Sequence, residues 1–153
     1  MRKILLSLAV LALIVLAAGC NAPAPAATVN GKAIPMTAYL RQVELATNYL
    51  KQQGVDDKTP EGQQIIAQMK GEVLDQMIDQ EIINQAAAKE NLTSTKEELD
   101  KELADIVAQM GGQAALDEWI KTSTYTKAEI DQAVRDQLLT DKLIAKVSAS
   151  VPT

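Results

Sequence analysis

The stretch from Thr59 to Glu90, "TPEGQQIIAQMKGEVLDQMIDQEIINQAAAKE", constrains the fold more than any other part of the chain. Thr59 can cap a helix, Pro60 suits the first helical position, and Glu61 puts an acid near the positive end of the helix dipole. No further proline interrupts the stretch, so the helix can run to about Glu90. Its first half carries Ile65, Ile66, Met69, Val73 and Met77 on one side, and its second half adds Leu74, Ile78 and Ile82 on the opposite side. A helix that is apolar on two sides has to be enclosed by neighbours. This central spine therefore needs partners on both flanks.

The rest of the chain offers them. Thr37 reads as the cap of a helix over 38–53, with Leu40, Val43, Thr47 and Leu50 on one stripe and Gly54 past its end. Thr95-Lys96-Glu97-Glu98 is a capping box ahead of Leu99, Leu103, Ile106, Val107 and Met110, and Gly111-Gly112 stops that helix. A short helix follows, with Leu116, Trp119 and Ile120 on its apolar side. Thr126-Lys127-Ala128-Glu129 is a second capping box, opening a last helix through Ile130, Val134, Leu138, Leu139, Leu143 and Ile144. Phenylalanine is absent, so the core is left to Ile, Leu, Val, Met and Ala, a set that favours helices.

Ahead of the helices, "ATVNGKAIP" (27 to 35) reads as a small hairpin, with Asn30-Gly31 suited to a type I′ turn. A two-stranded ribbon this short is not stable alone. A third short strand is therefore expected from Val147-Ser148-Ala149-Ser150-Val151. The expected fold is mainly α: about five helices around one long central helix, with a small β ribbon joining the N- and C-terminal segments.

The N-terminus carries a different signal. Met1-Arg2-Lys3 is basic, and Ile4 to Ala18 is apolar apart from Ser7. That run of about 15 residues is short of the roughly 20 that span a bilayer, but it suits the apolar region of a secretory signal. Ala17, Ala18 and Gly19 then lead into Cys20, the only cysteine. This order resembles the lipobox of bacterial lipoproteins. The resemblance implies a signal peptide over residues 1–19, cleavage before Cys20, and a diacylated Cys20 thiol as a membrane anchor, since two chains are needed for stable anchoring. The competing reading is an ordinary signal peptide with an incidental cysteine, or a buried thiol. Asn21 to Ala27 holds no large apolar residue and alternates proline, so residues 20–27 form the expected tether, holding a domain of residues 28–153 about 20 Å from the lipid. The covalent lipid on Cys20 is the one attached group expected; no other cofactor is.

Charge and absences narrow the chemistry. The chain has 15 basic and 20 acidic residues, and loss of Arg2 and Lys3 would leave 13 against 20. That balance argues against nucleic acid as a partner and against electrostatic adhesion to anionic headgroups. Histidine is absent, which removes Ser-His-Asp and Cys-His nucleophile pairs and histidine-based metal sites. No Gly-rich phosphate loop or dinucleotide fingerprint occurs. Carboxylate pairs at helical spacing, Glu98 with Glu102 and Asp75 with Asp79, read as solvated faces rather than acid–base machinery. No catalytic or metal-ligating residue is expected.

The sequential pattern is distinctive even though no single motif is. A "VNGKAI" hairpin, a short helix, a spine carrying "VLDQMIDQEIINQAAAKENL", a "TKEELDKELADI" helix, a short helix and a final "TKAEIDQAVRDQLLTDKLI" helix resemble the N-terminal chaperone domain of SurA and PrsA, over roughly residues 28–151. Those are extracytoplasmic foldases that bind unfolded or outer-membrane clients. The resemblance implies an ATP-independent holdase for unfolded exported polypeptides, held at the outer or periplasmic face of a bacterial membrane through Cys20. In that family the last helix usually leads into parvulin-type prolyl isomerase domains, whose sites typically use paired histidines. This sequence has no histidine and stops at Thr153, so isomerase activity is not expected of it. The alternatives are a structural or assembly lipoprotein docking one folded partner, or the front part of a longer peptidylprolyl isomerase.

A domain that captures clients needs apolar surface left open. Met69, Met77 and Met110 lie on helical stripes, and methionine suits promiscuous surfaces because it repacks easily. Trp119 is the only tryptophan, on a short helix beside the loop "KTSTYT" that contains Tyr125. These five residues are the candidates for client contact. Methionines at helical spacing are more often core, and Trp119 has a competing role as a buried clasp.

Overall fold

A computed structural model describes residues 24–150; the expected signal peptide, Cys20 and Val151 lie outside the described residues. The described chain opens with an antiparallel ribbon, β1 (Ala27–Val29) and β2 (Lys32–Ile34), in which Ala27 pairs with Ile34 and Val29 with Lys32. Asn30 (φ +50°) and Gly31 (φ +86°) make the turn, the left-handed pair that a type I′ hairpin needs. Five helices follow: α1 (Met36–Gln52), α2 (Pro60–Lys89), α3 (Lys96–Gln109), α4 (Gln113–Thr122) and α5 (Lys127–Ser150). The mainly α fold with a small ribbon is the architecture the sequence implied.

Most helix starts form as their residues dictate. The Gly62 amide donates to Thr59 Oγ1 at 3.1 Å, with Pro60 at the first position. Thr95 and Glu98 complete a reciprocal box, Glu98 N donating to Thr95 Oγ1 at 3.3 Å and Thr95 N to Glu98 Oε2 at 2.8 Å. Thr126 and Glu129 repeat it at 3.2 and 2.7 Å. The first helix departs from expectation. It begins before Thr37, with Pro35 as an extended N-cap whose carbonyl accepts from the Tyr39 amide at 3.1 Å. Proline's fixed φ presets that turn, so Thr37 lies inside the helix and caps nothing.

The 30-residue α2 is the spine. α1 folds back antiparallel to it, and the Tyr39 hydroxyl donates to the Lys70 carbonyl at 3.1 Å. α5 runs parallel along another side, with Lys146 Nζ 2.7 Å from Glu90 near the far end. α3 packs on α5, and α4 on α3. The buried set is small and apolar: Val29, Ile34, Val43, Leu45, Val73, Ala87, Leu99, Leu116 and Val134.

The expected third strand does not form. Residues 147–150 continue α5, and the sheet among the described residues has two strands. Valine, serine and alanine cost little in a helix already propagating, so the alternation in "VSASV" does not redirect it. The ribbon finds its support on α2 instead. Gln85 Nε2 donates to the Val29 carbonyl at 3.0 Å, Asn30 Nδ2 donates to Gln85 Oε1 at 2.9 Å, and Lys32 pairs with Glu81 at 2.9 Å.

Several residues on apolar stripes remain open to solvent. Leu40, Ile65, Ile82 and Ile144 are all exposed, although periodicity placed them among core residues. The exposure of Val147 has a plain cause: with Lys146 beside Glu90, α5 runs past the end of α2 and loses its partner there.

Candidate functional site

α1 and α5 both lean on α2, and an open cleft of about 740 Å³ lies between them, closed at one end by β2 and Pro35. Leu45, Ala46 and Tyr49 come from α1, Val73 and Met77 from α2, and Ala133 from α5. Leu45 and Val73 are buried, whereas Tyr49 is 62% exposed and stands at the rim. Six carboxamides share the lining: Gln42, Gln76, Gln80, Asn84, Gln132 and Gln137. Apolar and amide groups thus share one concave surface.

A smaller cleft of about 320 Å³ lies on the other side of α5's Glu129–Ala133–Gln137 row. Ile106, Trp119, Ile130 and Val134 line it, and Tyr125 belongs to both clefts. Trp119 and Tyr125 stack with ring centroids 5.6 Å apart and an interplanar angle of 19°. Both rings stay 40% exposed. Trp119 is therefore neither a fully buried clasp nor an isolated surface ring, but half of an open aromatic wall.

An ion-pair clamp fixes this wall. Arg41 Nε donates to Glu129 Oε1 at 2.7 Å and Nη2 to Oε2 at 3.1 Å, a two-pronged bridge from α1 to α5. Arg41 also reaches Glu44 at 2.9 Å and the Thr124 carbonyl, so it holds the loop that carries Tyr125. The Arg41 guanidinium, together with the backbone amide of Thr126, holds the Glu129 carboxyl down at about 2. Asp136, in the larger cleft, moves the other way: partial burial raises its pKa, opposed by the amides of Gln132 and Asn84.

The five candidate contact residues separate. Met77 and Tyr125 line the larger cleft, and Trp119 and Tyr125 the smaller. Met69 and Met110 are half-buried and line neither cleft. Glu98, read as part of a solvated face, is engaged in its capping box and with Lys142 at 2.5 Å. The sequence reading missed the carboxamides. Their signal was available, because Gln76, Gln80 and Asn84 recur every four residues along one side of the spine. No group of acids that could hold a metal ion occurs among the described residues, and no described helix is long and apolar enough to cross a membrane.

The described residues form a small helical domain built around one long spine, with one concave surface of amide and apolar groups. The chain belongs to the SurA-like N-terminal domain family, whose profile matches residues 1–144. It is similar to the foldase protein PrsA of Caldanaerobacter subterraneus subsp. tengcongensis, 26% identical over 98% of this chain and 47% of that protein. It is also similar to the foldase protein PrsA of Clostridium botulinum strain 657, 24% identical over 62% of this chain and 30% of that protein. The chain thus spans less than half the length of these curated relatives. No solved structure matches it. At the level of the family, these relatives point to a chaperone-type role.

Proposed function

We propose that this protein is an ATP-independent holdase that captures non-native segments of exported polypeptides in the groove beside α5, and that Cys20 tethers it to the extracytoplasmic face of a bacterial membrane. The observation that carries the reading is the groove's composition. Carboxamides both donate and accept hydrogen bonds, so they can satisfy the backbone of an extended chain whatever its sequence. Beside them, Met77, Tyr49, Tyr125 and Trp119 offer adaptable apolar surface for its side chains. Native proteins have already paired their backbone groups and buried their apolar residues, so they gain little here. Ordering a disordered client offsets part of the gain, which keeps affinity modest and release spontaneous. The basic, apolar, small-residue and cysteine order at the N-terminus supports the tether. A concave groove suits an extended segment better than the flat patch expected for docking one folded partner.

Suppression of aggregation tests the proposal. Purified protein at a near-stoichiometric ratio should hold a reduced, unfolding client in solution and show no binding to the same client in its native, oxidised form. If aggregation proceeds unchanged while circular dichroism shows the helices intact, the holdase reading fails.

A further inference from the structure

The chemistry of the groove discriminates among non-native segments. Three carboxylates line the larger cleft, Glu81, Glu129 and Asp136. Glu81 is paired with Lys32 at 2.9 Å and Glu129 with Arg41 at 2.7 Å. Asp136 is different. No lysine or arginine among the described residues comes within ion-pair distance of it. It accepts from Gln132 Nε2 at 2.9 Å and faces the Asn84 amide, both neutral donors. A partly buried carboxylate with only neutral donors around it gains most from a cation delivered by a ligand.

The smaller cleft supplies the complementary feature. Its wall of Ile106, Trp119, Tyr125, Ile130 and Val134 is apolar and suits one aliphatic or aromatic side chain. The two clefts meet across the row Glu129–Ala133–Gln137, in which the exposed Ala133 is the smallest side chain. From Asp136 back to Ile130 is about 9 Å along the helix axis, and the two flank the row about 120° apart, so the path between them is about 11–14 Å. An extended chain covers that path in about three to four residues.

We propose that the groove prefers extended segments carrying a lysine or arginine, seated on Asp136, and an aliphatic or aromatic residue about three to four positions away, seated against Ile106, Trp119 and Ile130. This rests on the client-binding reading above and narrows it to a substrate class. Charge complementarity favours a polypeptide: Asp136, the cleft carboxylate with no cation beside it among the described residues, disfavours a phosphate-bearing ligand, while the carboxamides around it match a peptide backbone.

Peptides of about a dozen residues, labelled for fluorescence anisotropy and titrated with the purified full chain, separate the possibilities. The reference peptide carries lysine and leucine three positions apart. Replacing its lysine by glutamine should weaken binding about tenfold, and by glutamate further, as expected for loss of a charge-assisted contact. Replacing its leucine by serine should also weaken binding about tenfold, as for removal of a buried anchor. In the protein, Asp136→Asn should abolish the preference for lysine over glutamine, and Asp136→Glu should retain it. Equal affinities for the lysine and glutamine peptides, or a lysine preference that survives Asp136→Asn, would overturn the inference and leave general client binding standing. If no peptide binds, and the unfolded client is not held either, the client-binding reading falls and the inference with it.

Discussion

Leu99→Ala is expected to lower stability by about 2–5 kcal/mol, as for other large-to-small core replacements, and to loosen α3 and α4 ahead of the rest. Leu99 is 4% exposed and is the buried residue of α3. α3 joins the bundle chiefly through α5, and α4 joins chiefly through α3. The truncation therefore weakens the attachment of a two-helix unit, not a single contact. Against a typical total of about 5–15 kcal/mol, the loss is large. Hydrogen exchange checks the local part: amides of α3 and α4 should lose protection before those of α1 and α2. Uniform loss across all five helices would contradict this attachment. The groove is also affected, because Ile106 on α3 and Trp119 on α4 form its apolar wall.

The second large effect is a contrast between two glycines of the same helix. Alanine is better than glycine inside a helix by about 1 kcal/mol, so propensity alone favours replacing both Gly62 and Gly71. At Gly62 a Cβ would sit 1.8 Å from the Asp56 carbonyl oxygen and 2.7 Å from its carbon. Both atoms are backbone, so relief requires moving the 56–59 turn that supplies the Thr59 cap. Overpacking of this kind costs about 1–3 kcal/mol, and loss of the cap adds about 1. Gly62→Ala should therefore destabilise by about 1–3 kcal/mol despite its better propensity. At Gly71 a Cβ meets nothing within 4 Å, and Gly71→Ala should stabilise by about 0.5–1 kcal/mol. Urea denaturation of the two variants reads both signs. Shifts in the same direction would contradict the placement of the 56–59 turn against α2.

The contrast shows what the sequence holds and what it leaves out. Thr59-Pro60, Thr95-Glu98 and Thr126-Glu129 announce helix starts because capping is local chemistry, complete within four residues. The two-sided spine was legible for a similar reason, since its apolar positions repeat along one helix. Whether a neighbour covers an apolar stripe is not local. Leu40, Ile144 and Ile65 share the periodicity of buried residues, yet all three stand exposed. The groove is of the same kind. It exists because α1 and α5 sit on α2 with open space between most of their length, a matter of helix placement that no spacing encodes. Tyr125 and Trp119 stood out by rarity, but the loop that carries Tyr125 is held by Arg41, 84 residues away from Tyr125 in sequence, gripping the Thr124 carbonyl and Glu129. The strand expected at 147–151 failed because alternation over five residues is weak evidence against a helix that is already nucleated.

The claim that clients are held in this groove is tested most directly by Trp119 itself. It is the only tryptophan, and it stands 40% exposed in the cleft wall. Its emission should shift to the blue, saturably, when a tryptophan-free unfolded client is added, because an apolar segment then displaces water from the indole. The native form of the same client should leave the emission unchanged. Capture of the unfolded client with no change in Trp119 emission would contradict the account, because binding would then lie elsewhere on the molecule.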